Sequence, residues 1–315
     1  MLAIAYSASI GSVGTIIGTP PNALLVAYMS NTHGIEIGFG RWMLVGVPLA
    51  VTFLFIAWLV LVTVFKPEMK EIPGGRELIK EELAKMGKMK QPEVLTAMIF
   101  GAAALCWIFV SLAIDSFGWS VTIADAAIGL AASLLLFMTP SGYKPGVNLM
   151  DWKTANDLPW DVLLLFGGGL ALSKMFSDTG LSLWIGDLAQ ELAGLPTFLL
   201  VAAVALVVLA LTEFTSNTAT AATFLPIFAG VAVGIGLTAG GQEQNILLLT
   251  IPVALAATCA FMLPVATPPN AIAFGSGYVR ISEMIKGGLW LNLVAVILIT
   301  LTVYFIAVPV FGIVG

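Results

Sequence analysis

Glu213-Phe-Thr-Ser-Asn-Thr-Ala219 and, further along, Ala266-Thr-Pro-Pro-Asn-Ala271 decide how this chain is read. Both are clusters of hydroxyl, amide and proline residues set inside otherwise hydrophobic sequence. Hydrocarbon tolerates such interruptions only where the freed backbone groups are buried in protein or line a wet cavity. Short polar breaks in hydrophobic segments are therefore pointers to a binding site. The two stretches are read as walls of one site.

Working outward, residues 197–211 and 219–233 flank the first stretch with about 15 apolar residues each, short of the roughly 20 that cross a bilayer. Two short arms meeting at a polar tip predict a re-entrant hairpin over 197–233. Residues 246–263 and 270–277 flank the second stretch and predict a broken helix over 246–277. Composition agrees with a membrane protein: 59% of the 315 residues are apolar, 10% are charged, and mean hydropathy is +1.02. No long run alternates polar and apolar residues as a transmembrane β-barrel would. Spans are predicted at 42–65, 94–114, 121–138, 160–176 and 289–311. Gly167-Gly-Gly169 is read as allowing close helix packing, since no strand precedes it and no Lys-Ser/Thr follows as in a phosphate loop. The stretch 181–192 interleaves apolar and acidic residues and reads as interfacial.

Residues 66–92 are the one strongly charged stretch. Within it Ile79, Leu83 and Met86 fall on one helical face, which suits either a helix on the membrane surface or a solvated linker helix. Seven of the 13 basic residues lie there, so the stretch is assigned to the cytoplasm; eleven then fall inside and two, Arg41 and Lys174, outside. The same alternation brings the hairpin in from the outside. Cys106 and Cys259 sit in different hydrophobic segments and imply no disulfide. His33 is the single histidine and is read as solvated in an outer loop.

Thr19-Pro-Pro-Asn-Ala23 recurs as Thr267-Pro-Pro-Asn-Ala271, an offset of 248, and Gly40, Trp42 and Thr52 match Gly288, Trp290 and Thr300 at that same offset. The two copies run in opposite directions through the membrane. The expected architecture is an all-α polytopic protein, an inverted-repeat secondary transporter with a re-entrant hairpin and broken helices. Residues 1–65 are read as the C-terminal tail of the first repeat, 66–92 as the linker, and 93–315 as the complete second repeat. Met1 opens inside a hydrophobic segment with neither a basic n-region nor a cleavage site. The offset puts the start of the first copy about 154 residues before Met1, and the counterpart of Ser216-Asn-Thr218 about 32 before it. Ser30-Asn-Thr32 follows its Thr-Pro-Pro-Asn run and is rejected as that counterpart. The chain is thus expected to lack most of the first repeat, as a truncated product or half of a split carrier, and to be inactive alone.

Thr-Glu-Phe-Thr-Ser-Asn-Thr-Ala (212–219), Pro-Trp-Asp-Val-Leu-Leu-Leu-Phe-Gly-Gly-Gly (159–169) and the two Thr-Pro-Pro-Asn-Ala runs resemble the divalent-anion/sodium symporter family of dicarboxylate, citrate and sulfate carriers. The resemblance implies a homodimer in the cytoplasmic membrane. It implies a substrate site of Ser216, Asn217 and Thr218 with Thr267 and Pro268, and a sodium site of Thr212, Thr215, Asn217 and Ala266. Gly18 would be the remnant of a first sodium site, with Asn22 and Asn270 supporting the breaks. Glu213, an acid at membrane depth, is read as structural, near the extracellular mouth.

The residue types suit that chemistry. Hydroxyl and amide donors with a half-helix N-terminus recognise a carboxylate without a fixed cation. No Lys or Arg lies between Lys174 and Arg280, so a bound dianion needs mobile compensation, which sodium supplies. An anion exchanger or a sulfate carrier on the same fold are the neighbouring readings. A membrane enzyme would want a nucleophile or metal set that one loop histidine does not furnish. No cofactor is expected beyond sodium as coupling ion, and no nucleic-acid partner.

Overall fold

The computed structural model describes residues 1–65, 75–117, 124–142, 146–157, 160–188, 191 and 194–314. The start of the linker at 66–74, the turn at Gly118 with residues 121–123, Lys144, Pro159 and parts of 181–192 lie outside them. Among the described residues every regular element is helical, with one isolated bridge between Pro140 and Asn148. They divide into two compact units: Met1–Ile37, Arg41–Phe65 and Trp160–Gly315, and Gly38–Gly40 with Lys66–Pro159.

The first unit is assembled around α12, Leu247–Thr258, in which every residue is buried. A helix apolar on all sides has to be enclosed by others. Here α10 (Thr197–Thr212), α11 (Asn217–Gly234), α2 (Pro20–His33) and α14 (Ile281–Thr302) pack around it. The arms α10 and α11 meet chiefly at their tip and lean on α12 more than on each other. α1, Leu2–Ser12, packs against α13, Pro268–Gly275, which brings the two breaks together.

α11 is also held by α9, Leu181–Leu188. A Cβ on Gly234 would run into the backbone of Gly186, and one on Gly186 into the carbonyl of Gly230. The helices touch main chain to main chain, so α9 is a packed element where an interfacial one was expected. Of the three glycines in α8 (Trp160–Asp178), only Gly169 meets a neighbour, with an added Cβ 2.6 Å from that of Ala222; Gly167 and Gly168 face open space.

α3, Phe39–Val64, turns Val51, Phe55 and Trp58 outward, and α14 does the same with Leu289, Trp290 and Leu293. Exposed apolar faces of this extent suit lipid. Among the described residues four helices are long and apolar enough to cross a membrane: Phe39–Val64, Gln91–Val110, Asn217–Gly234 and Ile281–Phe311. The last runs through a π-helical turn, Val303–Ala307, into α15, Val308–Phe311, and begins at Ile281, well before the expected 289.

In the second unit α5, Gln91–Phe117, pairs with α6, Asp125–Met138, where the Trp107 indole donates to the Asp125 carbonyl at 2.9 Å. α4, Gly75–Met86, is the expected linker helix, with Ile79, Leu83 and Met86 all exposed. A short helix, α7, covers Trp152–Asn156 and is capped by the Asp151 carboxylate, whose bond from the Thr154 amide holds its pKa below the usual range.

Candidate functional site: two helix breaks and a polar tip

Each Thr-Pro-Pro-Asn run starts a helix for local reasons. A proline forces the residue before it out of the helical region, and Thr19 and Thr267 are extended (φ −149°, ψ 143° and φ −137°, ψ 147°). Proline then serves well as the first helical residue, where its missing N–H costs nothing. The asparagine that follows reaches back across the break. Asn22 Nδ2 donates to Thr15 O at 2.9 Å and Val13 O at 3.3 Å; Asn270 Nδ2 donates to Ala260 O at 3.1 Å and Leu263 O at 3.2 Å. Both asparagines are fully buried, and among the described residues both Oδ1 atoms are without a partner. Gly18 is required where it stands, because a Cβ there would collide with the Ser12 carbonyl.

The hairpin tip lies between α10 and α11. Ser216 occupies the N-cap of α11 with extended backbone and no capping bond from its side chain. A cavity of about 560 Å³ is lined by Ser216, Asn217 and Thr218 from the tip, Gly18 and Thr19 from the first break, and Ala266, Thr267 and Pro268 from the second. Ser9, Ser12 and Thr258 complete its wall, and the Ser9 hydroxyl is buried without a partner. A larger cavity of about 640 Å³ is lined by Leu54, Trp58, Phe65 and Tyr278 and holds none of the expected site residues. Apart from Ser7, Glu283 and two tyrosines its lining is apolar, whereas the smaller cavity gathers the hydroxyl and amide side chains of the tip and both breaks and is the candidate.

Two chemistries meet there. The first is anion recognition. The N-termini of α2, α11 and α13 all line the cavity, and none has an acidic residue in its first turn. In α2 and α13 the prolines remove the first two donors, and Asn22 N and Asn270 N are already bonded to Thr19 O and Thr267 Oγ1. Those two helices contribute their dipoles. α11 contributes donors, because its bonding begins with Thr220 N to Ser216 O and leaves the amides of Asn217, Thr218 and Ala219 for a ligand.

The second is cation recognition. Thr212 Oγ1 lies 2.9 Å from Asn217 Oδ1 and 2.9 Å from Ala257 O. Three oxygens share one hydroxyl proton, an acceptor-rich set of hard ligands suited to an alkali cation. Ala257 was not expected; its carbonyl is freed only because α12 ends at Thr258. Thr215 was expected at the sodium site with no atom specified. Its hydroxyl bonds Leu211 O at 3.1 Å and Thr220 Oγ1 at 2.6 Å, leaving its carbonyl as the atom available to an ion.

Glu213 is 2% exposed and does not line the cavity. Oε1 accepts from Phe261 N (2.9 Å), Met262 N (3.0 Å) and Asn292 Nδ2 (2.6 Å); Oε2 accepts from Met262 N (3.1 Å) and Leu263 N (3.1 Å). Its partners are the second break and α14. Asn292 was missed: it is 79 residues away, and nothing local marks it. His33 is not freely solvated. Its ring stacks edge-on against Tyr28, with Nε2 3.3 Å from the phenol oxygen, and burial pushes its pKa down.

Over residues 1–312 the sequence matches the family described as the sodium:sulfate symporter transmembrane region. It is 42% identical over 315 positions to the sodium-dependent dicarboxylate transporter SdcS of Staphylococcus saprophyticus, and 44% identical to that of Staphylococcus aureus. Each match covers 99% of this chain and 59% of the relative, so the chain spans about three-fifths of the length of the curated relatives it matches.

Proposed function

Because the chain belongs to the sodium:sulfate symporter family, we propose that it takes part in secondary transport of a small di- or tricarboxylate across the cytoplasmic membrane, coupled to sodium. The observation that carries this reading is the juxtaposition at one tip. Asn217 and Thr218, whose amides are free among the described residues, line the cavity as donors, while Thr212 Oγ1, Asn217 Oδ1 and Ala257 O form an acceptor set beside them.

Asn217 belongs to both sets, and that is the physical basis of coupling. A dianion desolvated in a cavity without Lys or Arg is costly, and a sodium ion on the adjoining oxygens offsets its charge. Ser216, Thr218, Thr267 and Pro268 are assigned to the anion; Thr212, Asn217, Ala257, Ala266 and the Thr215 carbonyl to sodium. The names of the relatives favour a dicarboxylate. The family description makes sulfate the second candidate, and exchange of anions on the same fold is the other mode.

Proteoliposomes holding the chain extended to the full length of its relatives test the reading. An inward sodium gradient should drive accumulation of radiolabelled succinate, and unlabelled citrate or sulfate should compete according to which is the better ligand. Uptake that needs internal anion and ignores sodium would convert symport into exchange. The cytoplasmic side is proposed for residues 66–92, and the homodimer on the strength of the resemblance. Cysteines introduced at Lys85 and Gly240 test the orientation: an impermeant thiol reagent on intact cells should label Gly240→Cys, and labelling of Lys85→Cys alone would invert it.

A further inference from the structure

Thr212 and Glu213 are neighbours in sequence and grip the end of α12 from its two sides. Thr212 Oγ1 holds Ala257 O, the last-turn carbonyl, and the Glu213 carboxylate holds three successive amides, Phe261 to Leu263, in the unwound stretch that follows. The peptide plane fixes the consequence. In a trans peptide the carbonyl of one residue points opposite to the amide of the next, so anchoring these amides also sets the direction of the carbonyls before them. One of these, Ala260 O, is the acceptor that Asn270 clamps. Asn270 in turn sits in the first turn of α13, whose N-cap adjoins Ala266.

The charge of Glu213 also counts. Among the described residues no cationic group pairs with it, and the chain has no Lys or Arg between Lys174 and Arg280. Four donors, Asn292 included, stabilise the carboxylate without cancelling its charge. A negative centre fixed one residue from Thr212 favours a cation on the Thr212–Asn217–Ala257 oxygens.

We infer that Glu213 is a positioning residue for the sodium site: it joins tip to break at a fixed spacing and supplies the local negative charge, with Asn292 orienting its carboxylate. The inference rests on the sodium-coupled reading and touches neither ion nor anion directly. Glu213→Gln keeps the size of the side chain but removes the charge and turns one acceptor into a donor facing backbone amides. Glu213→Asp keeps the charge but shortens the reach. Asn292→Ala leaves both carboxylate oxygens on their amides.

The test is sodium-dependent thermal stabilisation of the purified protein, extended to the full length of its relatives, alongside initial rates of its succinate uptake in proteoliposomes. For Glu213→Gln the half-saturating sodium concentration should rise at least about tenfold, the weight of one charge-assisted contact. Its KM for succinate at saturating sodium should stay within about threefold of the parent. Glu213→Asp should recover part of the sodium affinity, and Asn292→Ala should shift it by less than Glu213→Gln. A purely structural role would lower the melting temperature and the maximal rate of all three variants and leave the half-saturating sodium unchanged; that result overturns the inference, and if Glu213→Gln does not fold, Asn292→Ala decides the matter alone. Absence of any sodium-dependent stabilisation in the parent protein would instead overturn the sodium-coupled reading itself.

Discussion

At the first break the Val13 carbonyl accepts from the Trp42 indole at 3.1 Å and from Asn22; at the second, the amides of Phe261, Met262 and Leu263 donate to Glu213. The extended threonines and the asparagine clamps are alike, although only Thr267 caps with its side chain, so both breaks solve the same local problem, freed backbone at the end of a helix. Their external support is opposite in sign. A neutral donor covers a carbonyl at the first, and a charged acceptor covers amides at the second. The lesson is that a shared motif fixes the shape of a break, whereas its electrical character comes from tertiary partners. On this view the second break belongs to the cation and the first chiefly to the shape of the cavity.

The largest effect expected from pulling the comparison apart is at the clamps. Asn22→Leu and Asn270→Leu each strand two buried carbonyls, and each should cost about 3 kcal/mol of stability in chemical denaturation. Equal losses would support a common local role; only Asn270→Leu should also weaken the sodium response. Next come the glycines against which the breaks pack. Gly46 would put a Cβ 2.5 Å from Val13 O, and Gly288 one 2.5 Å from the Phe261 backbone. Substitution of either by Ala should cost about 2 kcal/mol, with loss of sodium affinity confined to Gly288→Ala. Trp42→Phe removes one hydrogen bond at the first break. It should lower stability by about 1 kcal/mol and leave half-saturating sodium unchanged. The smallest effect is expected of Thr215→Ala, whose hydroxyl is committed to Leu211 and Thr220; a sodium affinity altered more than about threefold would show that its side chain reaches the ion.

These contrasts also mark what was readable in the chain. The helices begun by Thr-Pro-Pro-Asn and the polar tip were legible because caps, prolines and hydrophobic runs act over a few residues. Matching by offset was less secure. Trp42 and Trp290 occupy equivalent positions at 248, yet Trp42 is fully buried on Val13 O and Trp290 is 53% exposed. The glycine of α3 that approaches the first break is Gly46, where the matched pair is Gly40 and Gly288. Asn292 on Glu213, Ala257 on Thr212 and Gly186 against Gly234 were not legible at all. Each depends on which helices lie side by side, and one sequence carries no local mark of that.

The central claim is that one tip binds both charges, with Asn217 shared between them. Sodium-driven uptake of radiolabelled succinate into proteoliposomes by Asn217→Ala, measured beside Thr218→Ala in the protein extended to the full length of its relatives, tests it most directly. Asn217→Ala should abolish sodium-driven accumulation, since its amide oxygen belongs to the cation set and its position to the anion donors. Thr218→Ala should still respond to sodium but bind succinate about ten- to a hundredfold more weakly, the worth of one hydrogen bond to a charged group. Unchanged sodium-dependent uptake in both variants would contradict the account.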